Sequence, residues 1–182
     1  KTLYRAGAVA PLIALLFYLI EFSILIIGDP YPDTIGAWYG LFQRSKLLGL
    51  WYLNALDIAS FVFLGIMFLA LYRALERVQP SWMLIALYVA VLGVAVFIVP
   101  RALHLTLIPL SDLHAAATSD AQAARYLAAG EALSQVSTAT PQTLGFLFMA
   151  AAGLIISAVI LRGQSVIEAA RFGRAVGYVG IA

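Results

Sequence analysis

An all-α bundle of membrane-spanning helices is the fold class the sequence predicts, on three observations. Only 11% of the 182 residues are charged and 63% are hydrophobic, whereas a soluble domain carries roughly 25% charged residues and about half apolar ones. The apolar residues gather into runs close to the ~20 that a bilayer core requires of one helix. Between those runs lie segments where Lys, Arg, Pro and Gly concentrate, the expected makeup of loops at a membrane surface. The pattern predicts one integral membrane domain over 1–182, with four complete spans, the start of a fifth, and short amphipathic helices in two longer loops.

The first run, 7–27, contains one ionisable residue, Glu21. Gly28-Asp29-Pro30-Tyr31-Pro32-Asp33 then stops the helix, and Asp33 stands where it can cap a short one. Ile35, Trp38, Tyr39 and Phe42 follow at i, i+3, i+4 and i+7, one face of that short helix. Such a face reads as an interfacial anchor with its aromatics at headgroup level. The sharper alternatives are a lid over a cavity and a docking surface for another subunit. The second run, 47–72, includes Asn54, Asp57 and Ser60, and the third, 82–99, has no charge. Pro100 interrupts there, yet the residues after it stay mostly apolar, so the helix can continue past a proline kink to 110.

The second loop, 111–141, holds a capping-box start at Ser119-x-x-Gln122 and an Ala-rich stretch expected to be helical through Ser134. Tyr126, Ala129, Gly130, Leu133 and Ser137 form a small-residue stripe that suits a helix packed on the bundle. Pro141 fits the first turn of the fourth span, 143–161, and 172–182 reads as the opening of a fifth. The chain runs from Lys1 to Ala182, and both ends are read as truncated.

Seven basic residues (Lys1, Arg5, Arg73, Arg77, Arg162, Arg171, Arg174) fall on one side of these spans and four (Arg44, Lys46, Arg101, Arg125) on the other. The positive-inside rule therefore places the N-terminus in the cytoplasm and the two long loops outside, in a bacterial inner membrane. The net charge of +2 and the lack of a basic block exclude a nucleic-acid partner. The partners expected are the lipid bilayer and other membrane subunits.

Ionisable residues within spans are costly and mark candidate sites. Glu21, Asn54, Asp57, Ser60, Arg101 and His104 all fall in the outer half of the bundle, with Asn54, Asp57 and Ser60 one turn apart on a single face. A structural account pairs Arg101 with Glu21 or Asp57 and uses Asn54 and Ser60 as interhelical hydrogen-bonding glue. A functional account has Glu21 and Asp57 line a wet cavity, titrate, and bind a polar or cationic ligand. The inner halves of the helices offer no ionisable partner, which weighs against a proton relay. His104 is a candidate haem or chlorin ligand, though a lone His is more often interfacial or internally satisfied. Asp112-x-His114 has metal-ligand spacing but no third ligand and reads as loop. With no Cys, no HExxH and no phosphate loop, the sequence assigns no catalytic residue, metal or cofactor. Ala86/Ala90, Gly153/Ser157 and Gly173/Gly177 have the small-xxx-small spacing of close helix contacts.

Several of these stretches together carry a likeness. Asp29-Pro30-Tyr31-Pro32, the run Ser45-Lys46-Leu47-Leu48-Gly49-Leu50, Asp57, Ala115-Ala116-Ala117-Thr118 leading to Ala128-Ala129-Gly130-Glu131-Ala132-Leu133, and Phe172-Gly173-Arg174 resemble the domain-of-unknown-function 4386 family of bacterial multi-pass membrane proteins. The resemblance covers essentially the whole chain. It implies about six membrane helices in the complete protein and no activity, so no site residue is carried over. The expected role is an accessory or structural subunit of a larger membrane complex. The alternative is a small transporter or sensor that uses the Glu/Asp/Arg cluster, and the third reading is a pigment or haem carrier.

Overall fold

A computed structural model describes residues 2–163 apart from 29, 54 and 139. The described residues form eight helices and no strand: α1 (Thr2–Ile27), α2 (Ile35–Arg44), α3 (Lys46–Tyr52), α4 (Ala55–Leu75), α5 (Pro80–His104), α6 (Leu107–Ala115), α7 (Asp120–Thr138) and α8 (Thr140–Arg162). Four helical stretches are long and apolar enough to cross a membrane: Thr2–Ile24, Ala55–Leu75, Pro80–Ala115 and Asp120–Arg162. The molecule is an integral membrane helix bundle, with apolar side chains such as Leu12, Phe22, Tyr88 and Val91 turned outward to face lipid. The expected fifth span lies outside the described residues.

The long helices pack side by side in chain order, α1 on α4, α4 on α5 and α5 on α8. Small residues set the α1–α4 and α5–α8 junctions, because lipid supplies no hydrophobic drive and helices must gain by close contact. On α1, Gly7, Ala10 and Ala14 are buried. A methyl added at Gly7 would collide with the Ala70 side chain of α4. On α5, Ala86, Ala90, Gly93 and Phe97 turn inward, and Ala86 and Ala90 share a core cluster with Ala152, Ile156 and Val159 of α8. Here α5 and α8 come nearest: a Cβ on Gly93 would stand 2.9 Å from the Gly145 carbonyl oxygen. The seam through Ala86 and Ala90 is thus spent inside the bundle. Pro11 and Pro100 sit within α1 and α5, where membrane helices tolerate proline when neighbours re-satisfy the backbone.

The second apolar run, read as one span over 47–72, is two helices. The chain turns at Leu53, whose N–H closes α3 on the Gly49 carbonyl at 2.9 Å. Gly49 permits this turn to tuck under α2, since a methyl there would overlap the Phe42 ring. Both long connections, α2–α3 and α6–α7, lie at the same end of the bundle as the start of α4 and the end of α5.

α2 begins at a Thr34 cap rather than at Asp33; the Ala37 N–H donates to Thr34 Oγ1 at 3.2 Å. Its face of Ile35, Trp38, Tyr39 and Phe42 is buried to between 1% and 7% exposure, packed with Tyr52, Leu53 and Leu107 in a second core cluster. The four residues read as an interfacial anchor thus pack on other parts of the chain. An aromatic stripe serves a protein core as well as a headgroup layer, and α6 and α7 are there to cover it. Tyr39 donates its hydroxyl to the Tyr126 carbonyl of α7 at 2.8 Å, and Gly130 gives the ring room, since a methyl there would strike the Tyr39 hydroxyl.

Asp112 and His114, read as loop, are helical in α6. Asp112 accepts from Lys46 Nζ at 2.7 Å and from Gln43 Nε2 at 3.1 Å, and the His114 ring stands 5.3 Å from Tyr39. Ser119 caps α7 through the Gln122 N–H at 3.3 Å, while the Gln122 side chain accepts from the Thr118 N–H rather than closing the box on Ser119.

Candidate functional site

Three of the six polar residues singled out from the sequence, Glu21, Asp57 and Arg101, are joined where α1, α4 and α5 meet. Asp57 lies in the first turn of α4, where the backbone N–H groups have no partner within the helix. Glu21 of α1 supplies one: its Oε1 accepts from the Asp57 N–H at 3.2 Å. A carboxyl from one helix therefore caps the start of another. The Asp57 side chain, in turn, meets Arg101 of α5 with 3.4 Å between Oδ2 and Nη2. Arg101 is 9% exposed, and its guanidinium lies 5.3 Å from the centroid of the Phe97 ring one turn below.

Such a buried pair roughly balances desolvation against attraction, and losing one partner is the costly event. The cluster holds two carboxyls and one guanidinium among the described residues. His104 follows Arg101 by one turn on the same face of α5. It is 3% exposed, and neither ring nitrogen has a hydrogen-bond partner among the described residues. Arg101 Nε and the fully buried Ser60 Oγ are unpartnered too. Asn54, the remaining member, lies outside the described residues.

Beneath the charges the bundle is closed by aromatic rings. Phe61 and Phe97 stack at 3.5 Å and 4°, with Phe146 edge-on to them at 5.8 and 5.5 Å. Above, a cleft of about 680 Å³ opens between α2 and α7. His104 reaches it from below, Tyr31 and Trp38 wall one side, and Glu131 and Gln135 of α7 stand opposite. Tyr31 meets Trp38 edge to face, 5.1 Å between centroids and 85° between planes, and burial pushes the Tyr31 phenol above its ordinary value. Trp38 lies 6.3 Å from the His104 ring.

Sequence reasoning raised a lid over a cavity at the face of Ile35 and Trp38 but did not place this cleft. Its walls come from 31–38 and 128–135, about a hundred residues apart in the chain. The one available signal was the pair of rigid, turn-rich and Ala-rich loops on a single side of the spans. The fold and the cluster define a polytopic helical membrane protein with a buried charge cluster under an open cleft. No family model, no curated relative and no solved structure matches the chain.

Proposed function

We propose that the protein is a small membrane sensor that binds a polar ligand in the cleft and answers through the Glu21–Asp57–Arg101 cluster. One observation carries the reading: His104, buried and with both ring nitrogens unpartnered, faces a cleft of ligand size and sits one turn from the ion pair. Unsatisfied buried polar groups are costly, and a bound ligand relieves that cost. A ligand that touches His104 acts on Arg101 through the same helix, on Asp57 through the ion pair, and on α1 through the Glu21 cap. Sensing suits the geometry better than transport because the Phe61, Phe97 and Phe146 rings fill the bundle beneath the cluster.

A thermal-shift screen of the purified protein in detergent against amines, amino acids, organic acids and sugars tests the reading. At least one class is expected to raise the melting temperature and to change amide exchange in α1 and α4. In Asp57→Asn, the exchange change is expected to vanish while binding persists. A screen in which no class raises the melting temperature would sink the proposal.

The accessory-subunit reading keeps one support, the broad apolar outer faces of α1 and α5, which fit lipid equally well. A stable monomer found alone in native membranes would remove it. Kinship with the domain-of-unknown-function 4386 family, a bacterial source and a cytoplasmic N-terminus are proposals resting on the residues and charges set out above.

A further inference from the structure

We propose that the cleft between α2 and α7 is a binding site for an organic ammonium ion that carries N–H groups, a primary or secondary amine. The assignment deepens the sensor reading by naming the chemical class of its ligand.

The charges around the cleft decide the sign of the guest. Asp33 and Glu131 line it, and among the described residues no Lys or Arg does. Arg101, one turn from His104, is already held by Asp57 at 3.4 Å and by the Phe97 face, with the second carboxyl, Glu21, on the Asp57 backbone. Among the described residues an anionic guest would face two carboxylates and no cation at the cleft wall. A cation gains from both, most strongly inside a partly desolvated cleft.

The aromatic walls give the cation a specific seat. Tyr31, 47% exposed, offers an ammonium an aromatic surface. Trp38, buried and stacked on Phe42, backs it edge to face at 5.1 Å.

His104 then discriminates among cations. An imidazole is ordinarily uncharged above about pH 6.5, and it then has one lone pair that accepts a hydrogen bond. Both ring nitrogens are unpartnered among the described residues and buried at the floor of the cleft, so the acceptor stays unsatisfied until a guest reaches it. A primary or secondary ammonium can donate to it, whereas a quaternary ammonium has nothing to give. Gln135, at the opposite wall, adds a carbonyl acceptor of the same kind. The volume of about 680 Å³ falls within the range of small-molecule sites and exceeds what a single inorganic ion needs.

Calorimetric titration of the full purified chain in detergent tests the site, with putrescine as probe and its fully N-methylated analogue as control. Saturable putrescine binding is expected, with the methylated analogue about tenfold weaker or more, because it keeps the charges and loses the donors. Glu131→Gln, at an exposed rim position, and His104→Leu are each expected to weaken putrescine about tenfold. Repeating the titration in nanodiscs separates two sources of the same chemistry. Competition by phosphatidylethanolamine, absent with phosphatidylcholine, assigns the site to an aminolipid headgroup. Equal affinity in both lipids assigns it to a free amine.

No saturable putrescine binding and no competing aminolipid would overturn the assignment, as would equal binding of the methylated analogue. Unchanged affinity in a folded Glu131→Gln protein would overturn it as well, even if His104→Leu fails to fold. A hit from another chemical class in the thermal screen, with putrescine inert, rejects the amine and spares the sensor. Putrescine binding that changes amide exchange in α1 and α4 equally in the native chain and in Asp57→Asn rejects the sensor and spares the site.

Discussion

Asp57 joins three helices by two different bonds, one from its backbone and one from its side chain. Removing its charge leaves Arg101 buried without its direct partner, a change that ordinarily costs about 3–5 kcal/mol when nothing replaces the partner. Here Glu21 stands on the other side of Asp57, bonded to its backbone N–H, and can serve as the substitute. Asp57→Asn alone is therefore expected to lower the melting temperature less than the Glu21→Gln/Asp57→Asn pair, with the double loss exceeding the sum of the two single ones. Replacing Asp57 by Leu together with Arg101 by Met is expected to restore most of the stability, because an apolar pair has no charge to desolvate. Thermal melts in one detergent compare all four proteins.

Tyr39 makes a second residue-scale case. Burial raises its phenol above the ordinary 10.0, so the folded protein favours the neutral form that donates to the Tyr126 carbonyl. The stability linked to this preference is fully present below about pH 10 and is lost as the pH rises through the folded value. Tyr39→Phe is expected to flatten that alkaline decline and to lower stability at neutral pH by about 1 kcal/mol for the lost hydrogen bond. Melting curves between pH 8 and 11 read both effects. The sequence showed Tyr39 as part of an apolar stripe, but not that its hydroxyl reaches a carbonyl 87 residues away.

At the scale of elements, the apolar runs and their breaks were legible because helix length and hydropathy are local properties. The division of the second run into α3 and α4 was not, and the contact that holds α3 in place, Phe42 of a different helix seated on Gly49, is not local either. The same limit hid a close helix contact. Spacing singled out Ala86, Ala90, Gly153 and Ser157. Gly93 and Gly145 are the glycines that meet between α5 and α8, and a methyl added at Gly153 would meet nothing. Gly93→Val is therefore expected to push α5 from α8 and cost about 1–3 kcal/mol, as overpacking does, because the Gly145 carbonyl and the Met149 and Phe148 side chains all stand within 3.0 Å of the added carbon. Gly153→Val is expected to stay near neutral. Melting temperatures of the two variants, side by side, check the contrast.

For the whole molecule, the chain has no cysteine, so single replacements report cleanly on exposure to water or lipid. Cysteine at Leu12 or Tyr88, outward on the bundle at 64% and 69% exposure, is expected to resist a water-soluble maleimide in intact membranes and react after detergent extraction. Cysteine at Asp33 or Glu131, at the cleft, is expected to react at once. Labelling from one side of sealed vesicles then also reports which side the cleft faces. Prompt labelling of the Leu12 and Tyr88 positions in intact membranes would contradict the bilayer-embedded bundle.

The sequence by itself determined the class of this protein, the number and rough place of its described spans, and the residues a membrane helix can least afford to carry unpaired. Those follow from composition and from periodicity within single segments. Only the tertiary structure decided that Arg101 pairs with Asp57, that Glu21 caps α4, that the α2 aromatics face protein, and that His104 opens onto a cleft. Each joins segments far apart in the chain, and such pairing is fixed by where small residues let helices touch and by which polar groups then find themselves within reach.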